Sequence, residues 1–436
     1  MRGLLNRINK NVLLKVASYN SVWVLIRIAT GAVMSRILAD YVGPAGLTIL
    51  GNLRDFVQGI GVLSVLGLNN GLVKKASEHR EDPGRVTTLF TTGWTISLFT
   101  SLIIGICIYT SAAWLNAQLV VTANYQIVFE VFAITLPFYV VFVMITSLLQ
   151  GYELYHRFIT LNILASLLAF GLSVYLTITF ATLGALYALI SVPVIQIFIA
   201  VFFVRTLNHQ TPLRISQLFK LKIDGGSLKV LLGYSALALF SAIVIPLVTI
   251  IVRDYLRSTL DDTTTGYWEA MTRISSYYMM FATSLISMYV LPRLSRDDGY
   301  LNYRQTTTHF YRTILPLVAV GMVVVYFSRE LLIGQLFNSE FYPVLPLFKW
   351  QLLGDFIKIC CLVLAFRFIA VNSIKKYLIA EVLSLLSFLA FSYYFINRYG
   401  IEGVVMAHLA NYVFYAMVLL WLLRKELFAS IPDSVE

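Results

Sequence analysis

The sequence predicts an all-α polytopic membrane protein, with twelve transmembrane helices in two parallel six-helix bundles around a central cleft. Three observations carry that prediction. The 436 residues are 58% hydrophobic and only 13% charged, whereas soluble domains carry roughly 25% charged residues. The mean hydropathy is +0.78, and apolar runs recur along the whole length at about 20 residues, the length a helix needs to cross about 30 Å of hydrocarbon. Finally, the chain aligns with itself when slid by 219 residues, the mark of an internal repeat.

The spans, in order, are 12–39, 46–73, 87–111, 124–150, 158–180, 184–204, 229–253, 266–292, 306–327, 344–372, 377–397 and 401–423. Alternate connections, with both termini and their flanks, hold 22 Lys and Arg. The opposite set holds four, Arg253, Arg257, Arg329 and Arg398. By the positive-inside rule both termini are cytoplasmic. The net charge of +11 therefore reads as an orientation signal and not as a nucleic-acid surface. The N-terminal MRGLLNRINKNVLLK is an amphipathic basic lead-in with Leu4, Leu5, Ile8 and Val12 on one side, and no cleavable leader is read in it. Cys107, Cys360 and Cys361 lie inside apolar spans. With no His or further Cys at ligand spacing, packing is favoured over redox or metal chemistry, and no metal site is expected.

The repeat places Arg85-Val-Thr-Thr on Arg304-Gln-Thr-Thr, Arg157-Phe158 on Lys376-Tyr377, Arg54 on Arg273 and Gly184 on Gly403. It divides the chain into halves 1–218 and 219–436, each with six spans. An even number gives both halves the same orientation, a transporter's layout. The connection 205–228 joins them. Leu218, Phe219 and Leu221 among Lys220 and Lys222 place it on the membrane surface.

Charges inside the spans are the functional signal. Arg27, Arg36, Arg54, Arg273, Lys349, Lys358 and Arg367 are basic, and Asp55, Glu130, Glu269, Asp355 and Glu381 are acidic. Facing lipid, they would cost on the order of 30–40 kcal/mol, more than an ordinary domain's stability. They must be paired, interfacial or turned to water. In the tenth span Gln351, Asp355 and Lys358 share a face at steps of four and three. Lys349 and Arg367 lie opposite, near the ends, as snorkelling anchors. Asp355 and Lys358 are read either as a mutual i,i+3 pair that holds the helix or as a coupling pair that changes partner or protonation. Arg27, Arg54 and Arg273 come from spans 1, 2 and 8. Around one cavity, three guanidiniums form an anion site, because the planar fork grips phosphate oxygens in pairs and keeps its proton. The alternative is that each arginine pairs with Asp55, Glu130 or Glu269 and braces helices. Gln58, Asn69, Asn70, Trp268 and Tyr277 are candidates for sugar contacts. Pro137, Pro193, Pro246 and Pro316 lie mid-span, as hinges or as fixed kinks.

Five stretches in register resemble the Wzx-type flippases of the multidrug/oligosaccharidyl-lipid/polysaccharide exporter superfamily. They are Val42-Gly-Pro-Ala-Gly-Leu47, Asn52-Leu-Arg54, Gly266-Tyr-Trp268, Tyr289-Val-Leu-Pro-Arg-Leu-Ser295 and Trp350-Gln-Leu-Leu-Gly-Asp355-Phe-Ile-Lys358. The first and last resemble most the branch that serves enterobacterial common antigen synthesis. The resemblance implies two six-helix bundles in a V and a basic central cavity. It implies flipping of an undecaprenyl-diphosphate-linked oligosaccharide from the cytoplasmic to the periplasmic leaflet of the bacterial inner membrane, for O-antigen or common antigen synthesis. Arg27, Arg54 and Arg273 match the helices that carry cavity arginines in the related lipid II flippase. Glu381 is a looser match to that relative's acidic ion-site residue. No cofactor is implied. H+ and Na+ are the candidate coupling ions, and a polysaccharide polymerase and a chain-length regulator are the candidate partners besides the lipid bilayer. A drug antiporter of the same superfamily would need an acid-lined cavity, whereas the deep charge here leans basic. A membrane enzyme would need a paired-carboxylate or metal motif, and none is seen. A scaffold would tolerate loss of the arginines.

Overall fold

The computed structural model describes residues 12–121, 123–207, 219–294, 299–371 and 373–428, which among themselves form helices and no strand. The helices are α1 (Val12–Tyr41), α2 (Gly43–Ser64), α3 (Asn69–Glu78), α4 (Pro83–Thr110), α5 (Ala112–Leu119), α6 (Gln126–Gly151) and α7 (Tyr155–Leu207). They continue with α8 (Gly225–Thr259), α9 (Asp262–Leu294), α10 (Gly299–Phe327), α11 (Arg329–Leu336), α12 (Leu347–Ala370), α13 (Ile374–Tyr399), α14 (Ile401–Leu422) and α15 (Arg424–Phe428). Leu4, Leu5, Ile8 and Leu218 lie outside the described residues.

Helix starts follow local chemistry. Pro83 opens α4 where its missing N–H costs nothing, and the Asp82 side chain accepts from Arg85 N. Pro44 similarly sits in the first turn of α2. The mid-span prolines Pro137, Pro193, Pro246 and Pro316 are all inside helices. The second span, expected as one helix over 46–73, is instead two. Leu66 and Gly67 have φ of 49° and 61°, and α2 and α3 meet at a 45° bend. Left-handed residues cannot continue a right-handed helix. A Cβ on Gly67 would lie 2.9 Å from the Ala238 Cβ, so α8 fills the break and only glycine fits there.

Among the described residues eight helices are long and apolar enough to cross a membrane, and the bent α2–α3 pair makes nine. Helix α7 is two arms around Ala181, which makes ten. Helices α9 and α12, which the charges of spans 8 and 10 make less apolar, complete twelve. The chain is therefore an all-α polytopic membrane protein.

The repeat is written in the backbone. Ala181 has φ 49° and ψ −128°, and Gly400 has φ 58° and ψ −133°. Three residues later, a Cβ on Gly184 would fall 1.9 Å from Leu176 O, and one on Gly403 would fall 2.1 Å from Phe395 O. Adding 219 to 176, 181 and 184 gives 395, 400 and 403, so both halves turn the same tight hairpin at the same register.

Packing divides the chain into two compact units. The first holds the helices as far as Ile250 apart from Gly43–Thr48, and the second holds Gly43–Thr48 and everything from Ile251. The first unit's core joins Val65, Leu68 and Leu72 to Phe90, Val140 and Leu148. The end of the joining connection is tied to α4: Lys222 N donates to Thr95 Oγ1 (2.9 Å) and Asp224 N to Thr92 Oγ1 (3.0 Å), with Phe219 edge-on to Trp94. Leu221 and Ile223 stay exposed beside it. In the second unit Gly43–Thr48 packs on the start of α9, where Thr48 Oγ1 donates to Asp262 O (2.7 Å).

Candidate functional site

In the first unit the predicted residues are few and partly open. Arg27 is exposed on α1, its guanidinium 5.3 Å from the Trp23 ring centroid. On α2, Arg54 is a quarter exposed and sits 3.4 Å from Asp55 Oδ1. Gln58, one turn on, is exposed. Glu130 on α6 accepts from Gln126 Nε2 at 2.7 Å, so its partner is its own helix and not an arginine.

The second unit holds three polar clusters. In the first, Glu269 on α9 is buried and accepts from Arg253 Nη2 of α8 at 3.1 Å. Arg273 Nε lies 3.8 Å from the same carboxylate. Arg253 was expected at a span end among the interfacial residues, but it is 1% exposed and packs 5.7 Å from the Trp268 ring. A buried guanidinium needs a carboxylate and a flat apolar face, and α9 supplies both about two turns from its start. Trp268 is therefore buried against Arg253, and its expected contact with sugars is not open in this conformation. Tyr277 is half-buried further along α9.

The second cluster surrounds Asp355, which is fully buried. Ser275 Oγ (2.6 Å), Tyr278 Oη (2.5 Å) and Gln351 Nε2 (3.1 Å) donate to its Oδ2. His408 Nε2 of α14 lies 2.9 Å from its Oδ1. Gln351 Nε2 also lies 3.3 Å from His408 Nε2. Four partners occupy a carboxylate's acceptor capacity. That corrects the i,i+3 pairing of Asp355 with Lys358: among the described residues no ion pair within 4 Å joins them. Lys358 turns to α14 instead, 5.4 Å from the Tyr412 ring. Gln351 and Asp355 do share a face, as their spacing predicted. The close approach of α12 and α14 depends on Gly354, where a Cβ would meet His408 Cδ2 at 2.5 Å.

In the third cluster Tyr415 Oη donates to Glu381 Oε1 at 2.6 Å, which ties α13 to α14. The Tyr412 ring lies 6.3 Å from that of Tyr415 and 4.8 Å from that of His408, so aromatic and polar groups run continuously along α14. Lys349 is exposed near the start of α12, as an anchor should be. Arg367 is not an anchor. It is 6% exposed and its Nε lies 2.8 Å from Glu426 Oε2, because α15 folds back over the helix end and offers a carboxylate.

Ser275, Tyr278 and His408 escaped the sequence reading, and Arg253 entered it only as a charge at a span end. For His408 a signal exists: His408, Asn411, Tyr412 and Tyr415 fall at i, i+3, i+4 and i+7 on α14, a polar stripe through an apolar helix. For Ser275 none exists, since a lone serine on a membrane helix ordinarily bonds its own backbone, and Tyr278 is one of 26 tyrosines with nothing in its spacing to single it out.

Twelve spans, two units with a common hairpin and charge held inside the bilayer define a helical transport protein. The family described as "Polysaccharide biosynthesis protein" matches residues 33–346, more than half of the sequence, and the chain belongs to that family. It is 26% identical over 415 residues to the lipid III flippase of Escherichia coli (strain K12), covering 94% of this chain and 99% of that protein. Among solved structures it is similar to an inward-facing multidrug-resistance MATE family transporter of the MOP superfamily (TM-score 0.76, 15% identity, 93% of this chain and 94% of that one). It is also similar to the lipid II flippase MurJ in an inward closed conformation (TM-score 0.69, 14% identity, 94% and 87%). At such identities the solved structures share the fold. The names these relatives carry are those of flippases and transporters, not of enzymes.

Proposed function

We propose that the protein flips an undecaprenyl-diphosphate-linked oligosaccharide from the cytoplasmic to the periplasmic leaflet of the bacterial inner membrane by alternating access. The cargo serves cell-surface polysaccharide synthesis, of O-antigen or enterobacterial common antigen. The observation that carries this is the pair Arg54 and Arg273. They occupy one repeat position in the two units. Each is part-exposed, and each is steadied by a carboxylate, Asp55 at 3.4 Å and Glu269 at 3.8 Å. A steadied guanidinium with an open edge can receive diphosphate oxygens in place of their water, while the polyprenyl tail stays in lipid. Similarity to a lipid III flippase across nearly the full length of both chains supports the same reading. A cationic drug would be repelled by these residues, which disfavours drug antiport on this fold.

In this reading the halves are 1–218 and 219–436, both termini are cytoplasmic, and the polymerase and chain-length regulator receive the cargo. Buried Asp355, ringed by donors from three helices, is the first acidic candidate for the coupling ion, H+ or Na+. Glu381, held by Tyr415, is the second acidic candidate. The test is complementation of a flippase-null strain by Arg54→Ala and Arg273→Ala. Accumulated lipid-linked intermediate is expected, and normal surface polysaccharide from both variants would refute the anion site.

A further inference from the structure

A cavity of about 360 Å³ opens between α10 and α12 in the second unit. Its walls come from one face of each helix: Ala319, Met322 and Tyr326 at steps of three and four, and Lys349, Leu353 and Phe356 at steps of four and three. Every lining side chain but one is apolar or aromatic. The exception is Lys349, at the end where α10 stops and α12 begins.

That end is basic. Lys349 Nζ lies 4.6 Å over the Trp350 ring, and among the described residues no carboxylate lies within 4 Å of it. A second cation, Arg329, stacks 4.3 Å from the ring of the lining Tyr326 and donates through Nη1 to the Tyr326 carbonyl (2.9 Å). From Lys349 to Phe356 the groove runs about 10 Å along α12, at 1.5 Å per residue. That is within the depth of one leaflet, about 15 Å, or half the hydrocarbon. The α10 face stays apolar around it, with Val320, Val323, Val324 and Phe327 all more than half exposed.

We infer that this groove binds one anionic phospholipid of the leaflet at that end, with an acyl chain between α10 and α12 and the phosphate on Lys349 and Arg329. Charge complementarity selects the headgroup: Lys349 in the lining, Arg329 stacked on the lining Tyr326, and no anion lining the cavity fit a headgroup with net negative charge better than a zwitterion. The volume selects the chain. At about 30 Å³ for a water-sized group, the groove accommodates roughly a dozen methylenes, one acyl chain, whereas a long polyprenyl tail exceeds it several-fold. The site is independent of the proposed cargo. In the orientation proposed above, the leaflet is the periplasmic one.

The test uses the full-length protein, delipidated in detergent and titrated with phosphatidylglycerol or phosphatidylcholine, with bound lipid counted by native mass spectrometry. The wild type should retain one phosphatidylglycerol in preference to phosphatidylcholine. Lys349→Gln should weaken phosphatidylglycerol about fivefold, the effect of one basic residue at a membrane surface, and leave phosphatidylcholine unchanged. Lys349→Arg should restore the preference. Ala319→Trp, which fills the groove from the other wall, should remove the retained lipid. Equal retention of both lipids by the wild type would overturn the assignment. So would unaltered phosphatidylglycerol binding in Lys349→Gln and Ala319→Trp, or displacement of the phospholipid by equimolar undecaprenyl phosphate.

Discussion

The two units turn the same hairpin at the same register, yet they fill one corresponding position with opposite chemistry. In the second unit Ser275, Gln351, Asp355 and His408 form a hydrogen-bonded cluster. Subtracting 219 gives Phe56, Phe132, Leu136 and Leu189 in the first. There the Phe56 and Phe132 rings meet edge to face, 6.0 Å apart, and Leu136 is 1% exposed. The apolar version shows that the fold does not need a polar cluster at this position. A buried carboxylate that apolar packing could replace is a poor stabiliser, so stability alone does not explain its presence in one unit, in keeping with the coupling role proposed for Asp355. The ion pair of Arg253 and Glu269 follows the same pattern, since its counterparts are Met34 and Leu50.

The largest effect should come from breaking that ion pair on one side. Glu269→Ala takes the carboxylate from a buried guanidinium and should destabilise the protein by about 3–5 kcal/mol, read as loss of a folded, monodisperse peak after detergent extraction. Restoring the first unit's chemistry with Arg253→Met and Glu269→Leu together should recover most of that stability while flipping stays impaired. If the single and double variants melt alike, the pair is not the brace its geometry indicates.

Next in size is the carboxylate cluster. Asp355→Leu installs the first unit's residue but leaves the donors of Ser275, Tyr278 and Gln351 without their acceptor, at about 1–3 kcal/mol for such buried groups. Asp355→Asn keeps the shape and one acceptor oxygen, and it should fold while flipping slowly. Thermal melts in detergent alongside accumulation of lipid-linked intermediate in cells separate the two. Unchanged flipping in Asp355→Asn would remove the coupling role.

How much of this was legible follows from which signals are local. Twelve spans could be read because hydropathy is a sum over about 20 neighbouring residues. Spans 8 and 10, which became α9 and α12, were read with the rest despite their charges. The break between α2 and α3 was not, because Leu66 and Gly67 take left-handed φ where Ala238 of α8 fills the gap, a contact from far along the sequence. Asp355 stood out as a mid-depth charge, and Gln351 shared its face. Its pairing was misjudged because three of its partners, Ser275, Tyr278 and His408, come from other helices, and spacing along one helix sees only Lys358. Arg367 was taken for an anchor because Glu426 returns from beyond two more spans. Lone charges are visible in a sequence, whereas their partners are set by packing.

The arginine pair gives a smaller, functional effect that tests whether the units act alike. Arg54→Lys and Arg273→Lys keep the charge but lose the bidentate fork. Each should slow flipping about tenfold if the diphosphate is gripped by both units, about 1.4 kcal/mol in transition-state terms. Initial rates in proteoliposomes loaded with a fluorescent polyprenyl-diphosphate glycan would measure this. A loss confined to one variant would show that the anion site belongs to one unit alone.

The smallest effect is at the shared hairpin, where chain and fold are matched and only the residue differs. Ala181 and Gly400 adopt nearly the same positive φ, 49° and 58°, in a region that favours glycine. Ala181→Gly removes the Cβ strain but adds freedom to the unfolded chain, so a net gain of about 0.5–1 kcal/mol is expected. Gly400→Ala should lose a similar amount or slightly more. Neither position touches the polar clusters, so flipping per folded molecule should not change. Paired melts of the two variants measure the strain directly: opposite shifts of similar size would establish that the hairpins are energetically equivalent. Shifts of the same sign would mean that the second unit tolerates a Cβ where the first is strained by one, and that their likeness ends at the backbone.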